Sequence, residues 1–332
     1  MGTTAAARSR AFLPTAARWW PLPVAVALAV GLVWAALAGE IGGTGHHADL
    51  GPPTLQRVLG TVRLDPFVGP VSVLALVGYL TAVRVLRRRG DAWSGWRTAA
   101  WCSGVAVALL VTCTGVGAYA MALFSVHMVQ HMTLNMVVPA LLVLGGPVTL
   151  ALRALPVGGR RTLLRVLHSP SARFYTRPAV AAGIFTVSVY VLYLSPLFGF
   201  LMSSAWGHML MEAHFLASGL MFFFLMVGVD PAPRRPSELA RIPVLVVVMI
   251  LHGLFSAVLV FSTTVIGAGY LQSVDRDWGP SLLADQHLGG AIAWVVGELP
   301  VVALVIVLLM RWFAAADRAD RVAERRRGRE VG

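Results

Sequence analysis

The sequence predicts an all-α fold, a polytopic membrane helical bundle of about eight transmembrane helices with both termini in the cytoplasm. Three observations lead to this prediction. Hydrophobic residues make up 57% of the 332-residue chain and charged residues only 13%, whereas soluble domains carry roughly 25% charged residues. The apolar residues form stretches of about 20 residues, the length that crosses a bilayer as a helix. The arginines are distributed unevenly between the segments that connect these stretches.

Eight apolar stretches are expected to span the membrane. They cover residues 19–39, 68–86, 98–120, 127–152, 178–198, 208–229, 242–264 and 287–312. The first ends in an Ala-Leu-Ala sequence that resembles a signal-peptidase site, but its length favours a retained helix. We therefore expect an N-terminal helix with an outer loop (1–66), a transmembrane bundle (67–312) and a basic cytoplasmic tail (313–332).

The net charge of +12 comes from arginine alone, because the chain contains no lysine. With the N-terminus inside, 24 arginines fall in cytoplasmic segments and only Arg57, Arg63 and Arg276 fall outside. This asymmetry is typical of the positive-inside rule. Nucleic acid is not an expected partner, because binding it needs basic charge on one exposed face of a binding module. The expected surroundings are membrane lipids.

Several kinds of chemistry are not expected. Cys102 and Cys113 lie eleven residues apart in one apolar stretch, about 16 Å along a helix, which is too far for a disulfide bond. The sequence has no CxxC, P-loop, GxSxG or HExxH motif. An enzymatic function is therefore not predicted.

The histidines provide the most informative pattern, because most of them fall outside or in the outer third of a predicted span. His127 and His131 are four residues apart and share one helix face, and Met128 and Met132 repeat this spacing on the adjoining face. Imidazole binds copper, zinc and iron, and thioether sulfur selects for Cu(I). Simple packing would also explain the methionines, but two facing histidines in lipid are costly and favour a function.

The sixth predicted span opens with "WGHMLMEAHFLASG". His208 and His214 lie about 120° apart around a helix, so at most two or three of the polar groups in this segment can face one site. Glu212 is a candidate acceptor that orients an imidazole. His252 and Glu298 both fall near the bilayer midplane. They are expected to pair as a structural lock, or His252 joins a ligand set.

The eighth predicted span opens with "LLADQHLGGAIAW". Asp285 is positioned to cap a helix N-terminus, or to face the histidines and attract a cation. Gly289 and Gly290 permit close approach of another helix. His46 and His47 lie in an outer loop, where they are either solvated or collect metal weakly.

Four segments together resemble the CtaG-type multi-span cytochrome c oxidase assembly proteins of bacteria, over roughly residues 65–312. The segments are "FSVHMVQHMTLNMVVPALLVLGGPVTLALRALP" (124–156), "YLSPLFGFLMSSAWGHMLMEAHFLASGLMFFFLMVGVDPAPRRPS" (193–237), "HGLFS" (252–256) and "ADQHLGGAIAWVVGELP" (284–300). Their most specific elements are HMxQHM, GVDPxP and DQxxGG. The matching positions are His127, Gln130, His131, His214, Gly219, Asp230, Pro231, Pro233, His252, Asp285, Gln286, Gly289 and Gly290.

The resemblance implies a multi-pass plasma-membrane protein that helps a haem-copper oxidase to mature, with the cytochrome c oxidase subunits as partners and copper as cargo. Our working hypothesis is that Cu(I) binds between spans four, six and seven, through His127, His131 and His214, with His252 as an optional further ligand and Met128 or Met132 in support. The candidate metal ligands are His127, His131, His208, His214, His252, Met128, Met132 and Asp285. Two alternatives stay open: a haem-binding electron-transfer protein, and a metal-free scaffold for assembly.

Overall fold

The computed structural model describes residues 50–233 and 236–330. In this part of the chain the regular structure is helical, and one isolated bridge pairs Val62 with Thr114. In chain order the helices are α1 (Leu55–Gly60), α2 (Val68–Arg88), α3 (Gly95–Thr112), α4 (Gly115–Tyr119), α5 (Phe124–Met132), α6 (Val138–Leu144), α7 (Pro147–Ala154), α8 (Val157–Leu167), α9 (Pro170–Tyr175), α10 (Pro178–Tyr193), α11 (Leu197–Met202), α12 (Ala205–Val227), α13 (Glu238–Phe261), α14 (Ala268–Ser273) and α15 (Leu282–Glu330). A π-helical turn, Thr133–Val137, joins α5 to α6.

Five of the described helical segments are long and apolar enough to cross a membrane. They are Val68–Arg88, Phe124–Ala154, Ala205–Val227, Glu238–Phe261 and Leu282–Arg318. The predicted all-helical fold is confirmed, but the predicted count of about eight spans is not supported. The cytoplasmic location of both termini stays a prediction, as do the three predicted domains. The predicted first span and its neighbours His46 and His47 lie outside the described residues.

Two of the predicted spans are shorter than expected, for local reasons. Helix α3 ends at Thr112, because Thr114 adopts extended backbone and its hydroxyl accepts a hydrogen bond from the Val116 N–H (3.2 Å), which starts α4. Helix α10 has only 16 residues, fewer than the roughly 20 that a bilayer requires. Both helices nevertheless pack inside the bundle.

The long helices run alternately between two ends of the bundle. The histidine end is the end at which α5, α12 and α15 begin, and the arginine end is the end at which α2 finishes and α13 begins. Helix α15 packs along α13 and against α5, and α12 packs against α10, α6 and the π-helical turn. Near the histidine end, a Cβ atom added at Gly289 would lie 2.6 Å from the Phe124 ring, so this glycine permits the contact between α15 and α5.

The π-helical turn interrupts the helix that carries His127 and His131. It precedes Pro139, which has no N–H to donate to the carbonyl of Asn135 and therefore disturbs the regular helical bonding. Gly219 of α12 lies directly against that carbonyl, where any side chain would clash. Helix α12 therefore packs closely against the π-helical turn between α5 and α6.

Two helix starts are capped by aspartates that are distant in sequence. Asp285 accepts hydrogen bonds from the backbone N–H groups of Phe124 (2.7 Å) and Ser125 (3.2 Å), where α5 begins. Asp230 accepts from Val148 (3.0 Å) and Thr149 (2.8 Å), where α7 begins. These bonds satisfy donors that a helix leaves unpaired at its N-terminus.

Candidate metal centre

Three buried imidazoles meet at the histidine end of the bundle. His127 and His131 come from α5 and His208 from the first turn of α12, and one ligand nitrogen from each lies within 4.8 Å of the other two. The three side chains are at most 2% exposed. The rings of His127 and His131 stack with centroids 4.0 Å apart, as the four-residue spacing on one helix face requires. We call these three residues the histidine cluster.

The spacing within the histidine cluster suits one metal ion. Nε2 of His131 and Nε2 of His208 are 3.5 Å apart. Two imidazole nitrogens bound at about 2.0–2.1 Å to one tetrahedral or trigonal ion are separated by about 3.3–3.6 Å. These two rings therefore need little movement to share an ion, and the stacked ring of His127 supplies a third nitrogen nearby.

Several buried polar atoms around the histidine cluster have no hydrogen-bond partner among the described residues. They are Nδ1 of His127, Nδ1 of His131, Oε1 of Gln130 and Oε2 of Glu212. Buried polar atoms in folded proteins are nearly always paired, so a local concentration of unpaired ones calls for an explanation. A bound cation with its ligands and their supporting groups would provide it.

Glu212 links the histidine cluster to the rest of the polar interior. Its Oε1 lies 3.6 Å from Nδ1 of His208 and accepts a hydrogen bond from the Gln130 amide at 2.9 Å. A carboxylate at Nδ1 leaves Nε2 of His208 facing the cluster, which is how such groups orient metal ligands.

Aromatic side chains enclose the histidine cluster. The hydroxyl of Tyr193, at the end of α10, lies 3.0 Å from Nε2 of His127. The rings of Phe198 and Phe215 pack edge-on against His127 and His131 at 5.2 and 4.8 Å. Sequence reasoning missed Tyr193, because a tyrosine in an apolar stretch gives no local sign of its partner.

The sixth predicted span contributes a different histidine from the one favoured in our working hypothesis. His208 faces the cluster together with Glu212, because residues four apart share a helix face. His214 is exposed and contacts only the ring of Phe215 among the described aromatic pairs. Six residues after His208, it lies about 120° around α12 and turns away from the cluster.

The two candidate methionines, Met128 and Met132, share one apolar core with Phe124 and Phe215, and they differ in their polar contacts. Met132 lies with its sulfur 3.4 Å from Nε2 of His252. His252 therefore contacts Met132 and does not belong to the group of three close imidazoles.

The expected pairing of His252 with Glu298 is confirmed as a close approach. Nδ1 of His252 lies 3.5 Å from Oε1 of Glu298. The two atoms are not aligned for a hydrogen bond, and neither has a hydrogen-bond partner among the described residues. A small rotation of either side chain would align the two groups.

Asp285 does not belong to the histidine cluster. Both its oxygens are engaged, with the start of α5 and with the Ser125 hydroxyl at 2.5 Å, and Arg276 lies 3.7 Å away. It caps α5 rather than its own helix, whose first turn is capped by Ser281. The expectation that Asp285 faces the histidines is therefore not met, and its role is to fix the helix that carries two of them.

A known protein family matches most of this chain. The profile of the cytochrome c oxidase caa3 assembly factor (CtaG) family matches residues 77–315, more than half of the chain. The chain belongs to this family. All three members of the histidine cluster, together with Asp230 and Asp285, lie inside the matched region.

Curated relatives share the sequence over most of this chain. Uncharacterized proteins of Mycobacterium bovis and Mycobacterium tuberculosis are each 44% identical over 281 residues, and one of Mycobacterium leprae is 41% identical over 284 residues. The matches cover 82% of this chain but only 42–43% of the relatives, so this CtaG-family chain spans less than half of their length. No solved structure matches the chain.

Proposed function

We propose that this chain is an integral membrane assembly factor that binds Cu(I) at His127, His131 and His208 and supplies it to a haem-copper cytochrome c oxidase. One observation carries the proposal: three fully buried imidazoles bring ligand nitrogens within 4.8 Å of one another. Imidazole is a good copper ligand, and the metal is cargo that must leave again. A three-nitrogen site without a thiolate suits binding that can be reversed.

The membrane arrangement forms part of the proposal. Large apolar side chains on the outer faces of α13 and α15 are exposed, among them Val247, Ile250 and Leu299, as expected of surfaces that contact lipid. The arginine end carries most of the described arginines, and by the positive-inside rule we propose that it lies at the cytoplasmic side of the plasma membrane. The histidine cluster then lies toward the outer side of the bundle, where we propose that the oxidase receives its copper.

A labelling experiment tests this orientation. Asp277 lies exposed in the segment between α14 and α15. In a variant with Cys102→Ser, Cys113→Ser and Asp277→Cys, a membrane-impermeant maleimide is expected to label intact cells or spheroplasts. Labelling that occurs only after the membrane is opened would reverse the orientation and remove the proposed route of copper delivery.

The metal proposal is tested by copper content. We expect the double variant His127→Ala/His131→Ala, purified in detergent, to lose at least one equivalent of bound Cu(I). The matched control is His214→Ala, a histidine on the same helix as His208 that turns away from the cluster, and its copper content should equal that of the wild type. Equal copper in the double variant and the wild type would refute this ligand set.

A cellular measurement separates copper supply from metal-free scaffolding. In cells that carry only the double variant, we expect the oxidase to be deficient in copper and excess copper in the medium to restore activity. A scaffold that binds no metal predicts normal oxidase copper in the same cells.

Haem binding is the other alternative, and the packing of the rings opposes it. Two axial imidazoles must lie on opposite faces of a flat macrocycle. The facing pair from two helices, His131 and His208, has its Nε2 atoms only 3.5 Å apart, and the rings of His127 and His131 stack directly on one another. A Soret band in the purified protein would overturn the copper proposal.

A further inference from the structure

A second group of metal-binding atoms lies beside the histidine cluster, between α5, α13 and α15. The sulfur of Met132 is 3.4 Å from Nε2 of His252, and Nδ1 of His252 is 3.5 Å from Oε1 of Glu298. Met132 is fully buried, and His252 is 5% exposed. The three residues come from three different helices that meet inside the bundle.

This second group is separate from the histidine cluster, although it begins at the next residue of the chain. Side chains of successive helical residues point about 100° apart. His131 therefore faces His208 on α12, whereas Met132 faces His252 on α13. Helix α5 ends at Met132, where the π-helical turn begins, and such turns occur frequently at functional sites.

The second group also has unpaired polar atoms. Both carboxylate oxygens of Glu298 and Nδ1 of His252 have no hydrogen-bond partner among the described residues, and the Glu298 side chain is only 16% exposed. At the neighbouring position 297 any side chain would clash with the His252 ring, and this position is occupied by a glycine. The sequence thus makes room for an imidazole next to a carboxylate that has no described cation to balance its charge.

We propose that Met132 and His252 form a second site, selective for Cu(I), which receives the ion from the histidine cluster. This inference rests on the proposed function. Thioether sulfur and imidazole nitrogen together select a soft monovalent ion. Distances of about 2.3 Å to sulfur and about 2.0 Å to nitrogen, typical of a metal of this size, fit two ligand atoms 3.4 Å apart. Glu298 orients His252 through Nδ1, and its charge balances the cation.

The transfer requires no redox chemistry, because the ion moves as Cu(I) by exchange of ligands. The Met132 sulfur replaces the imidazole nitrogen of His131, and Nε2 of His252 then replaces the nitrogens of His127 and His208. All three bonds to the histidine cluster break as the two bonds of the second site form. Since His131 and Met132 are adjacent on one helix, the ion passes from the α12 side of α5 to its α13 side. The two sites would therefore hold copper in different ligand sets, one of nitrogen alone and one of nitrogen and sulfur.

The test counts Cu(I) and identifies its ligands in the full chain purified in detergent without oxygen. We expect two equivalents in the wild type and a sulfur neighbour of copper in X-ray absorption spectra. Met132→Leu should lose one equivalent and the sulfur signal, and His252→Asn should do the same. The matched control is Met136→Leu, a buried methionine in the apolar core of the arginine end, which should keep both. Exchanges of Met for Leu conserve volume and disturb folding little.

The outcomes distinguish this inference from the proposed function. The double variant His127→Ala/His131→Ala should keep one equivalent with its sulfur signal. One equivalent in the wild type with nitrogen ligands only would overturn the second site and leave the proposed function intact. Two equivalents that persist with sulfur in Met132→Leu would also overturn the second site. A wild type that binds no copper would refute both.

Discussion

The starts of α5 and α7 use the same capping chemistry at opposite ends of the bundle. In each case one aspartate accepts from two successive backbone N–H groups and from the hydroxyl of the second residue, which is Ser125 in α5 and Thr149 in α7. Neither helix has its own side-chain cap, because the residues before them, Leu123 and Gly146, contribute no side-chain hydrogen bond. The capping aspartates are 161 and 82 residues away in sequence.

The two ends differ in what each cap holds in place. Asp285 also lies 3.7 Å from Arg276, whose side chain is 5% exposed, and α5 places His127 three residues after the capped Phe124. Tyr270 adds a hydrogen bond to the carbonyl of Met121 (2.9 Å). Burial raises the pKa of Tyr270 to about 12, so the hydroxyl stays a donor at physiological pH. The helix start with more contacts is therefore the one that positions His127 and His131, the proposed metal ligands.

The largest expected effect in this comparison is that of Asp285→Ala. The substitution leaves two helix N–H groups without an acceptor and leaves Arg276 without its nearest carboxylate. Loss of one partner from a buried charged pair costs about 3–5 kcal/mol, so we expect the free energy of unfolding in mixed micelles to fall by about 3 kcal/mol or more. Because the start of α5 then shifts, we also expect Cu(I) affinity at the histidine cluster to fall at least tenfold.

Asp285→Asn is the control for this prediction. An amide oxygen can still accept from Ser125 or Phe124, but the charge opposite Arg276 is lost. We expect an intermediate loss of stability and a copper affinity closer to the wild type. A folded Asp285→Ala protein with unchanged copper affinity would show that the cap does not position His127.

The histidine cluster could be predicted in part from the sequence. The four-residue spacing fixes the relation of His127 to His131, because both lie on one helix and share a face. Periodicity does not say which face of α12 a neighbouring helix covers, and so the working hypothesis favoured His214, whereas the structure brings in His208. Tyr193 could not be found for the same reason, since its contact with His127 depends on how α10 packs.

The fold shows the same limit. Hydropathy predicts the helices and most of their positions, because the backbone N–H and C=O groups of each span must be hydrogen-bonded within that span in the absence of water. The break after Thr112 depends on the capping hydroxyl of Thr114, and the caps by Asp230 and Asp285 depend on contacts between distant segments. Asp285 was correctly expected to cap a helix, but only the tertiary structure shows that the helix is α5.

A smaller and separable effect is expected for Asp230→Ala, at the arginine end. This change removes the acceptor for Val148, Thr149 and the Thr149 hydroxyl, and loss of a helix cap typically costs about 0.5–2 kcal/mol. We expect a fall in the free energy of unfolding of about 1–2 kcal/mol, measured in the same mixed micelles as for Asp285→Ala.

Copper affinity of Asp230→Ala should stay within twofold of the wild type, because α7 carries no residue of either proposed site. Added Cu(I) should therefore stabilise this variant as much as it stabilises the wild type, since the gain depends only on ligand concentration and affinity. A loss of copper affinity as large as that of Asp285→Ala would mean that the two ends are coupled through the π-helical turn, and that the cap at Asp285 has no special relation to the metal site.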